Sequence, residues 1–346
     1  MSSGPPHTDA VTELLLTQAG EISEPVTVLD DVEGALTRAL VERGHTPTVW
    51  CDDVRSEALL PTTPLAARTR TPASALAGAR TVLWRLPRAV AAVEEYAELI
   101  AAVADPGVRV IAAERDKQLT RSMNTALARS FESVTASLGY RKARALLASG
   151  PRPVEPTWPR TARVESLAID VVAHGATFST NRLDRGTALL ASCFDQLPDV
   201  ATAIDLGCGS GILATLLARR EIRVHALDVA WSATDATLLT TEANGVAVDV
   251  HRRDGLIGWN QPVDLIATNP PFHVRAAKDT APTRELFDQA SRVLVDGGEL
   301  WCVYNAHLPY LQWLRPTIGP TQIVARDRAY VVTRSVRKGG RLTSHS

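Results

Sequence analysis

The feature that most restricts how this chain can fold is a short apolar run that halts at a glycine cluster and resumes as a helical pattern. Ala201-Thr-Ala-Ile-Asp-Leu206 is followed by Gly207-Cys-Gly-Ser-Gly211 and then by Ile212-Leu-Ala-Thr-Leu-Leu-Ala-Arg-Arg220. Six residues ending at glycine suit a buried strand, and the run after it repeats apolar residues at helical spacing. Glycines at such a junction let the backbone turn sharply and leave room for a ligand where a Cβ would stand. The helix that follows offers free N–H groups at its start.

The alternation continues. Residues 222–228 read as a second strand ending in Asp228, and residues 247–251 as a third, closing at Arg253-Asp254-Gly255. Residues 263–267 form a fourth, which runs into Thr268-Asn-Pro-Pro-Phe-His273. A helix over about residues 283–294 leads to a fifth strand at 299–305, and residues 322–325 and 329–336 read as a closing hairpin. Strands alternating with helices predict a mainly parallel α/β sheet covered on both faces.

The first half repeats this plan in worn form. Residues 26–53 run parallel to 201–229, and residues 81–90 to 264–274. Asp105-Pro-Gly-Val-Arg-Val-Ile-Ala-Ala-Glu114 likewise matches Asp296-Gly-Gly-Glu-Leu-Trp-Cys-Val-Tyr-Asn305. Four matched features in the same order indicate an internal duplication. The first copy has lost the glycines, because its loop reads Asp30-Asp-Val-Glu-Gly34. Those carboxylates are expected to repel an anionic ligand group and to fill its space. The proline-rich stretch 149–163 reads as a linker between domains at 1–148 and 164–346.

Two stretches carry chemistry. Asp228 ends the strand after the glycine loop, about 20 residues on, where a carboxylate can accept hydrogen bonds from ribose hydroxyls. The loop spacing is GxGxG rather than the GxGxxG of dinucleotide sites, and there is no GxxxxGK[ST]. Asn269-Pro-Pro-Phe272 stops a core strand abruptly, since neither proline can donate to a ladder. The carboxyl edge of an open α/β sheet is where ligands bind. The stop therefore places Asn269, Pro270 and Phe272 at that edge.

Composition excludes several classes. With 45% hydrophobic and 22% charged residues in 346, the chain has the balance of a globular protein able to bury two cores. No apolar run is long enough to span a bilayer, and the opening Met1-Ser-Ser-Gly lacks the basic and apolar regions of a signal peptide, so a cytoplasmic location is expected. Cys51, Cys193, Cys208 and Cys302 form no metal-ligand spacing, so no metal is expected and the thiols read as small buried hydrophobes. The net charge of −1 gives no global sign of a nucleic-acid partner. Locally, Arg115, Lys117, Arg121, Arg129, Arg141, Lys142, Arg144, Arg152, Arg160 and Arg163 face few acids, which suits either a solvated helix face or an RNA-binding surface.

The Asp205-x-Gly207-x-Gly209-x-Gly211 form resembles the S-adenosylmethionine loop of class I methyltransferases. That resemblance implies that Asp205, Gly207, Gly209 and Gly211 cradle the methionine end, that Asp228 holds the ribose and that Asp254 lies by the adenine. Asn269-Pro270-Pro271-Phe272 resembles the signature of methyltransferases acting on an exocyclic or amide nitrogen, which implies that the Asn269 side-chain oxygen and the Pro270 carbonyl accept from the target NH2, that the prolines keep the turn rigid and that Phe272 stacks on a base. The chain as a whole is similar to the bacterial ribosomal RNA guanine-N2 methyltransferases. The similarity is carried by Leu86-Pro-Arg88, Lys117-Gln-Leu-Thr-Arg-Ser-Met-Asn124, Arg141-Lys-Ala-Arg144, Phe178-Ser-Thr-Asn-Arg-Leu-Asp-Arg-Gly-Thr187 and Asn305-Ala-His-Leu-Pro-Tyr310, besides the two motifs above. It departs from the family at Arg88, where a lysine is usual, and around Tyr140-Arg141.

The family resemblance implies two tandem class I methyltransferase (Rossmann-like) domains, the N-terminal one degenerate and serving to bind RNA, the C-terminal one catalytic. It implies methyl transfer from S-adenosylmethionine to a guanine N2 in ribosomal RNA, free or in a ribosomal subunit, and makes Phe178 a cofactor contact. Adenine N6, a protein glutamine or a small amine are alternative acceptors, and a non-catalytic ribosome-assembly role is the alternative of another class. No dimerisation stripe is evident, which favours a monomer.

Overall fold

The computed structural model describes residues 9–61, 67–68, 71–180, 182–270 and 281–339. The chain divides into two compact units, Met1–Pro159 with His174–Ala176, and Arg160–Ala173 with Thr177–Ser346.

In the first unit, helix α1 (Ala10–Ala19) precedes β1 (Val26–Leu29), α2 (Ala35–Glu42), β2 (Thr48–Trp50), α3 (Val54–Ala58), β3 (Ala67–Arg68) and α4 (Pro72–Leu76). Then come β4 (Thr81–Arg85), α5 (Val90–Val103), β5 (Arg109–Arg115), α6 (Arg121–Ser130), β6 (Phe131–Ala136) and β7 (Ala143–Pro151). The described strands form one sheet in the order β3-β2-β1-β4-β5-β7-β6. Strands β1 to β5 run parallel, and β7 is antiparallel to both β5 and β6.

The second unit opens with a small antiparallel pair, β8 (Arg160–Val164) and β9 (Ile169–Ala173). Helix α7 (Arg185–Ala191) follows, then β10 (Thr202–Leu206), α8 (Ile212–Ala218), β11 (Arg223–Asp228), α9 (Trp231–Ala243), β12 (Asp249–Arg252) and β13 (Val263–Thr268). Helix α10 (Ala281–Val293), β14 (Leu294–Asn305), α11 (Leu311–Thr317), β15 (Thr321–Arg326) and β16 (Tyr330–Val336) complete it. Its main sheet has the order β12-β11-β10-β13-β14-β16-β15, the same permutation as in the first unit. The duplication expected from the matched stretches is therefore a duplication of topology, down to the antiparallel closing hairpin.

Alternation along the central strands explains the layers. Leu265 and Trp301 face one core with Leu213 and Leu217 of α8, while their neighbours Ile266 and Cys302 face the other with Phe287 and Val293 of α10. Successive side chains of a strand point to opposite faces, so a strand apolar at every position must be covered twice. All four cysteines are free and buried within these units, as small hydrophobes.

Two expectations are corrected. Strand β7 continues through Pro151 and β8 starts at Arg160, so the stretch 149–163 is strand at both ends. The basic stretch is not one helix face: Arg115 ends β5, Arg121 opens α6, and Arg141 and Lys142 lie in the turn between β6 and β7.

Candidate active site at the carboxyl edge of the second sheet

The strand order reverses between β10 and β13, and ligand sites of open parallel sheets form at such a reversal. Three sequence-predicted residues lie at adjacent strand ends there. Gly207 follows β10, Asp228 ends β11, and Asn269 follows β13. Leu206 and Thr268 are paired in register, and the Thr268 hydroxyl donates to the Leu206 carbonyl at 2.7 Å, which ties the two strand ends together.

The glycine loop is held by its own neighbours. The N–H groups of Gly207 and Cys208 both donate to the Leu227 carbonyl, at 2.8 and 3.1 Å. Gly207, Gly209 and Gly211 have φ of 77°, 55° and 78°, in the left-handed region that favours glycine. They meet different needs. A Cβ on Gly207 or Gly209 would meet nothing within 4 Å, so their bareness leaves open space. A Cβ on Gly211 would sit 2.9 Å from the Thr237 Cα, so that glycine admits the backbone of α9. Thr237 also donates its hydroxyl to the Gly209 carbonyl at 3.2 Å.

Asp205 is buried, and its Oδ2 accepts from the Ala214 N–H at 2.9 Å, while Oδ1 is buried without a hydrogen-bond partner among the described residues. Burial pushes its carboxyl up to about 7; the Ala214 N–H opposes this and the negative charge of Asp228 adds to it. An unpaired acidic oxygen beside a bare loop fits the cationic end of an amino-acid ligand. The Asp228 carboxylate accepts from the N–H groups of Gly209 and Ala230 at 3.2 and 3.0 Å.

Asn269 is the best-defined side chain of the site. Its Nδ2 donates to the Asp184 Oδ2 and to the Thr187 Oγ1, each at 3.0 Å. Its Oδ1 is buried and has no partner among the described residues. The result is a fixed acceptor at the end of β13. Asp184 is the N-cap of α7 and also accepts from the Thr187 N–H at 3.0 Å.

Asp254 is exposed in the turn after β12, two residues past Arg252, the register partner of Asp228. Phe178 is 61% exposed in a turn whose next two residues, Ser179 and Thr180, have φ of 56° and 53°. Thr177 anchors that turn by donating to the Ser232 carbonyl in the first turn of α9, at 3.0 Å. Pro270 is buried. Pro271, Phe272 and the adjacent His273 lie outside the described residues. Sequence reasoning missed Asp184 and Thr187 as partners of Asn269. Their local signal, an acid followed three residues later by a threonine ahead of an apolar run, announces a helix start but not its partner some 85 residues away.

Among the described residues no group of three or more His, Cys, Asp or Glu side chains is arranged to hold a metal. No described helix is long and apolar enough to cross a membrane.

In the first unit the corresponding junction is closed. Gly34, with φ of 67°, is the N-cap of α2 just as Gly211 is of α8. A Cβ on Gly34 would stand 2.5 Å from the Leu59 carbonyl oxygen and 3.0 Å from Arg38 Nη1. The acids expected to fill the space instead serve the backbone: Asp31 accepts from the N–H groups of Leu36 and Thr37 and from the Thr37 hydroxyl, and Asp30 from the Asp52 N–H.

Residues 168–334 match the methyltransferase small domain, and residues 8–152 match the RLMG N-terminal domain. A ribosomal RNA large subunit methyltransferase G of Streptomyces coelicolor is 32% identical over 271 residues, covering 74% of this chain and 72% of that protein. The Streptomyces avermitilis protein of the same name is 30% identical over 345 residues, covering 92% and 88%. A ribosomal RNA small subunit methyltransferase C of Alcanivorax borkumensis is 36% identical over 169 residues, covering 48% and 52%. Among solved structures, a T. thermophilus 16S rRNA N2 methyltransferase in complex with AdoMet and guanosine superposes with a TM-score of 0.79 over 96% of this chain and 93% of that one, at 20% identity.

Proposed function

This chain belongs to the ribosomal RNA guanine-N2 methyltransferase family, and we propose that its target guanine lies in the RNA of the large ribosomal subunit. It is an S-adenosylmethionine-dependent enzyme that methylates the exocyclic amine of a guanine in ribosomal RNA. Two findings support the large subunit over the small. The relatives aligned over about three quarters or more of this chain are large-subunit enzymes, and the first unit matches the N-terminal domain of that group. Small-subunit relatives align over less, about half of each chain in one case and 60% of this chain in another.

The observation that carries the chemistry is the fixed Asn269 Oδ1, unpaired among the described residues, beside the bare glycine loop. A guanine NH2 is a poor nucleophile because its lone pair is delocalised into the ring. Accepting its hydrogen bonds at Asn269 Oδ1 and the Pro270 carbonyl holds the nitrogen, favours its pyramidal form and stabilises the positive charge it acquires. S-adenosylmethionine supplies an electrophilic methyl group on a sulfonium. We assign Asp205, Gly207, Gly209 and Gly211 to its methionine end, Asp228 to its ribose, and Asp254 and Phe178 to its adenine side. Pro271 is assigned to keeping the turn rigid and Phe272 to stacking on the target base. The proton leaves after transfer, so no strong general base is required.

We assign the first unit to RNA docking, without a cofactor, since its loop Asp30-Asp-Val-Glu-Gly34 carries side chains, several acidic, where the second unit has glycines. Around the end of β5 and the turn between β6 and β7, Lys117, Arg121, Arg141, Lys142 and Arg144 are exposed. The Asp116 N–H donates to the Lys142 carbonyl at 3.0 Å, which holds those two loops side by side. Arg141 pairs with Glu13 and Arg144 with Asp116, while Lys117, Arg121 and Lys142 have no ion-pair partner among the described residues and can grip phosphates. We place the enzyme in the cytoplasm as a monomer, with one domain through β7 and a second from β8 onward.

The test is incubation with radiolabelled S-adenosylmethionine and unmodified large- and small-subunit RNA, each naked and assembled, followed by nucleoside analysis. N2-methylguanosine from the large-subunit substrate is expected. Label confined to small-subunit RNA overturns the subunit assignment, and none in any RNA overturns the reaction.

A further inference from the structure

We infer that Asp184 and Thr187 are positioning residues for methyl transfer, which fix the orientation of the Asn269 amide so that its oxygen meets the target amine. The inference rests on the role proposed above for Asn269. An amide side chain fits its site in two orientations, 180° apart, that differ little in shape but exchange donor for acceptor. Rotated the wrong way, Asn269 would present Nδ2 to a guanine NH2, donor against donor, and the amine would lose its acceptor.

Asp184 decides between the two. An ionised carboxylate only accepts, so Asn269 pairs with it through Nδ2 at 3.0 Å, and the flipped amide would set two oxygens against each other. Thr187 adds a second acceptor at 3.0 Å, although its hydroxyl could serve either orientation. The clamp is itself seated. Its two residues open α7, where the Asp184 carboxylate caps the Thr187 N–H. Between them Gly186 is buried so closely that a Cβ would stand 3.0 Å from Asp184 Oδ2 and 3.1 Å from the Tyr330 ring of β16. The orientation of Asn269 is thus set from a different part of the unit than the loop that holds the cofactor. The same fixed acceptor discriminates among bases: a keto oxygen placed where the amine belongs meets another acceptor.

Asp184→Asn separates this role from helix capping, because asparagine caps a helix about as well as aspartate while allowing Asn269 either orientation. With saturating cofactor, we expect kcat to fall about tenfold or more, with KM for RNA within about twofold of wild type. Calorimetric affinity for S-adenosylmethionine and the melting temperature should stay close to wild type. The exchange Asp184→Asn with Asn269→Asp should recover activity above Asp184→Asn alone. One oxygen of the relocated carboxylate then accepts from the relocated amide, and the other is left for the amine. Without any RNA, the side-chain amide protons of Asn269 should exchange slowly in the wild type and faster in Asp184→Asn.

Wild-type kcat in Asp184→Asn, alongside an inactive Asn269→Ala, overturns the clamp alone. An active Asn269→Ala overturns the underlying reading of Asn269. A joint fall in melting temperature and kcat without recovery by the exchange makes Asp184 a helix cap only, and also overturns the inference.

Discussion

The two units share one strand permutation and a left-handed glycine at the start of the helix after their first strand, yet the space above that helix is used in opposite ways. In the first unit, both oxygens of Asp31 are consumed by backbone and side-chain donors of α2, and the Leu59 carbonyl closes over Gly34. In the second, Asp205 commits one oxygen to α8 and keeps the other unpaired among the described residues, beneath a loop whose two leading glycines face open space. On the roles proposed above, a retired ligand site differs from a working one in whether its polar groups are satisfied internally, since a buried polar atom left unpaired is costly unless a ligand completes it.

The largest expected effect tests the working side. Asn269→Ala removes the fixed acceptor and should lower kcat by roughly 100-fold or more, with cofactor affinity preserved in calorimetry; comparable loss of both would break the separation of amine site from cofactor site. Next comes a matched pair of glycine substitutions. Gly209→Ala should weaken S-adenosylmethionine binding about tenfold or more at a stability cost of about 1–2 kcal/mol for its left-handed backbone. Gly34→Ala, driven against the Leu59 carbonyl, should destabilise the first unit by roughly 1–3 kcal/mol and leave cofactor affinity unchanged. Equal loss of affinity in both variants would mean that the first unit still binds the cofactor.

A smaller effect concerns pH. The Asp205 carboxyl is raised to about 7, chiefly by burial, whereas in the unfolded chain it ionises near 4. A raised carboxyl favours the folded state below its unfolded value, and that contribution is lost as pH rises toward 7. The cofactor-free protein should therefore lose on the order of a few kcal/mol of stability from this group between pH ~4 and pH ~7. Asp205→Asn should flatten that slope in denaturant titrations at several pH values; parallel slopes would show that the unpaired oxygen does not raise its carboxyl. The smallest effect sharpens the role of the first unit. Lys142→Glu should raise KM for RNA a few-fold and reduce the salt dependence of binding by about one or two phosphate contacts, with kcat unchanged. No change in salt slope would remove this turn from the docking surface.

How much of this was legible beforehand follows from the range of the interactions. The strand–glycine–helix junction, the acid at Asp228 and the stop at Asn269-Pro270 are local patterns, and the structure brings them to one sheet edge. The division of labour among the glycines was not readable, because the need for Gly211 comes from Thr237 on a later helix. Nor was the amide clamp, which joins α7 to the end of β13 across some 85 residues. The β8–β9 pair was hidden by the proline-rich composition before it, and the turn between β6 and β7 by arginines and lysines that read equally well as a helix face. In the worn copy the acids were identified correctly but their direction was not: they turn toward backbone N–H groups, a choice made by neighbours such as Thr37 and Asp52.

The close approach of Thr237 to Gly211 has a consequence for how the cofactor is captured. The α9 backbone pressed against the loop and the Thr237 hydroxyl on the Gly209 carbonyl brace the loop from within the unit, independently of any ligand contact. A ligand meeting a braced loop has little loop entropy to quench. Arrival at the loop is then a single encounter, and differences in affinity among variants of its lining should appear in the residence time rather than in the rate of arrival.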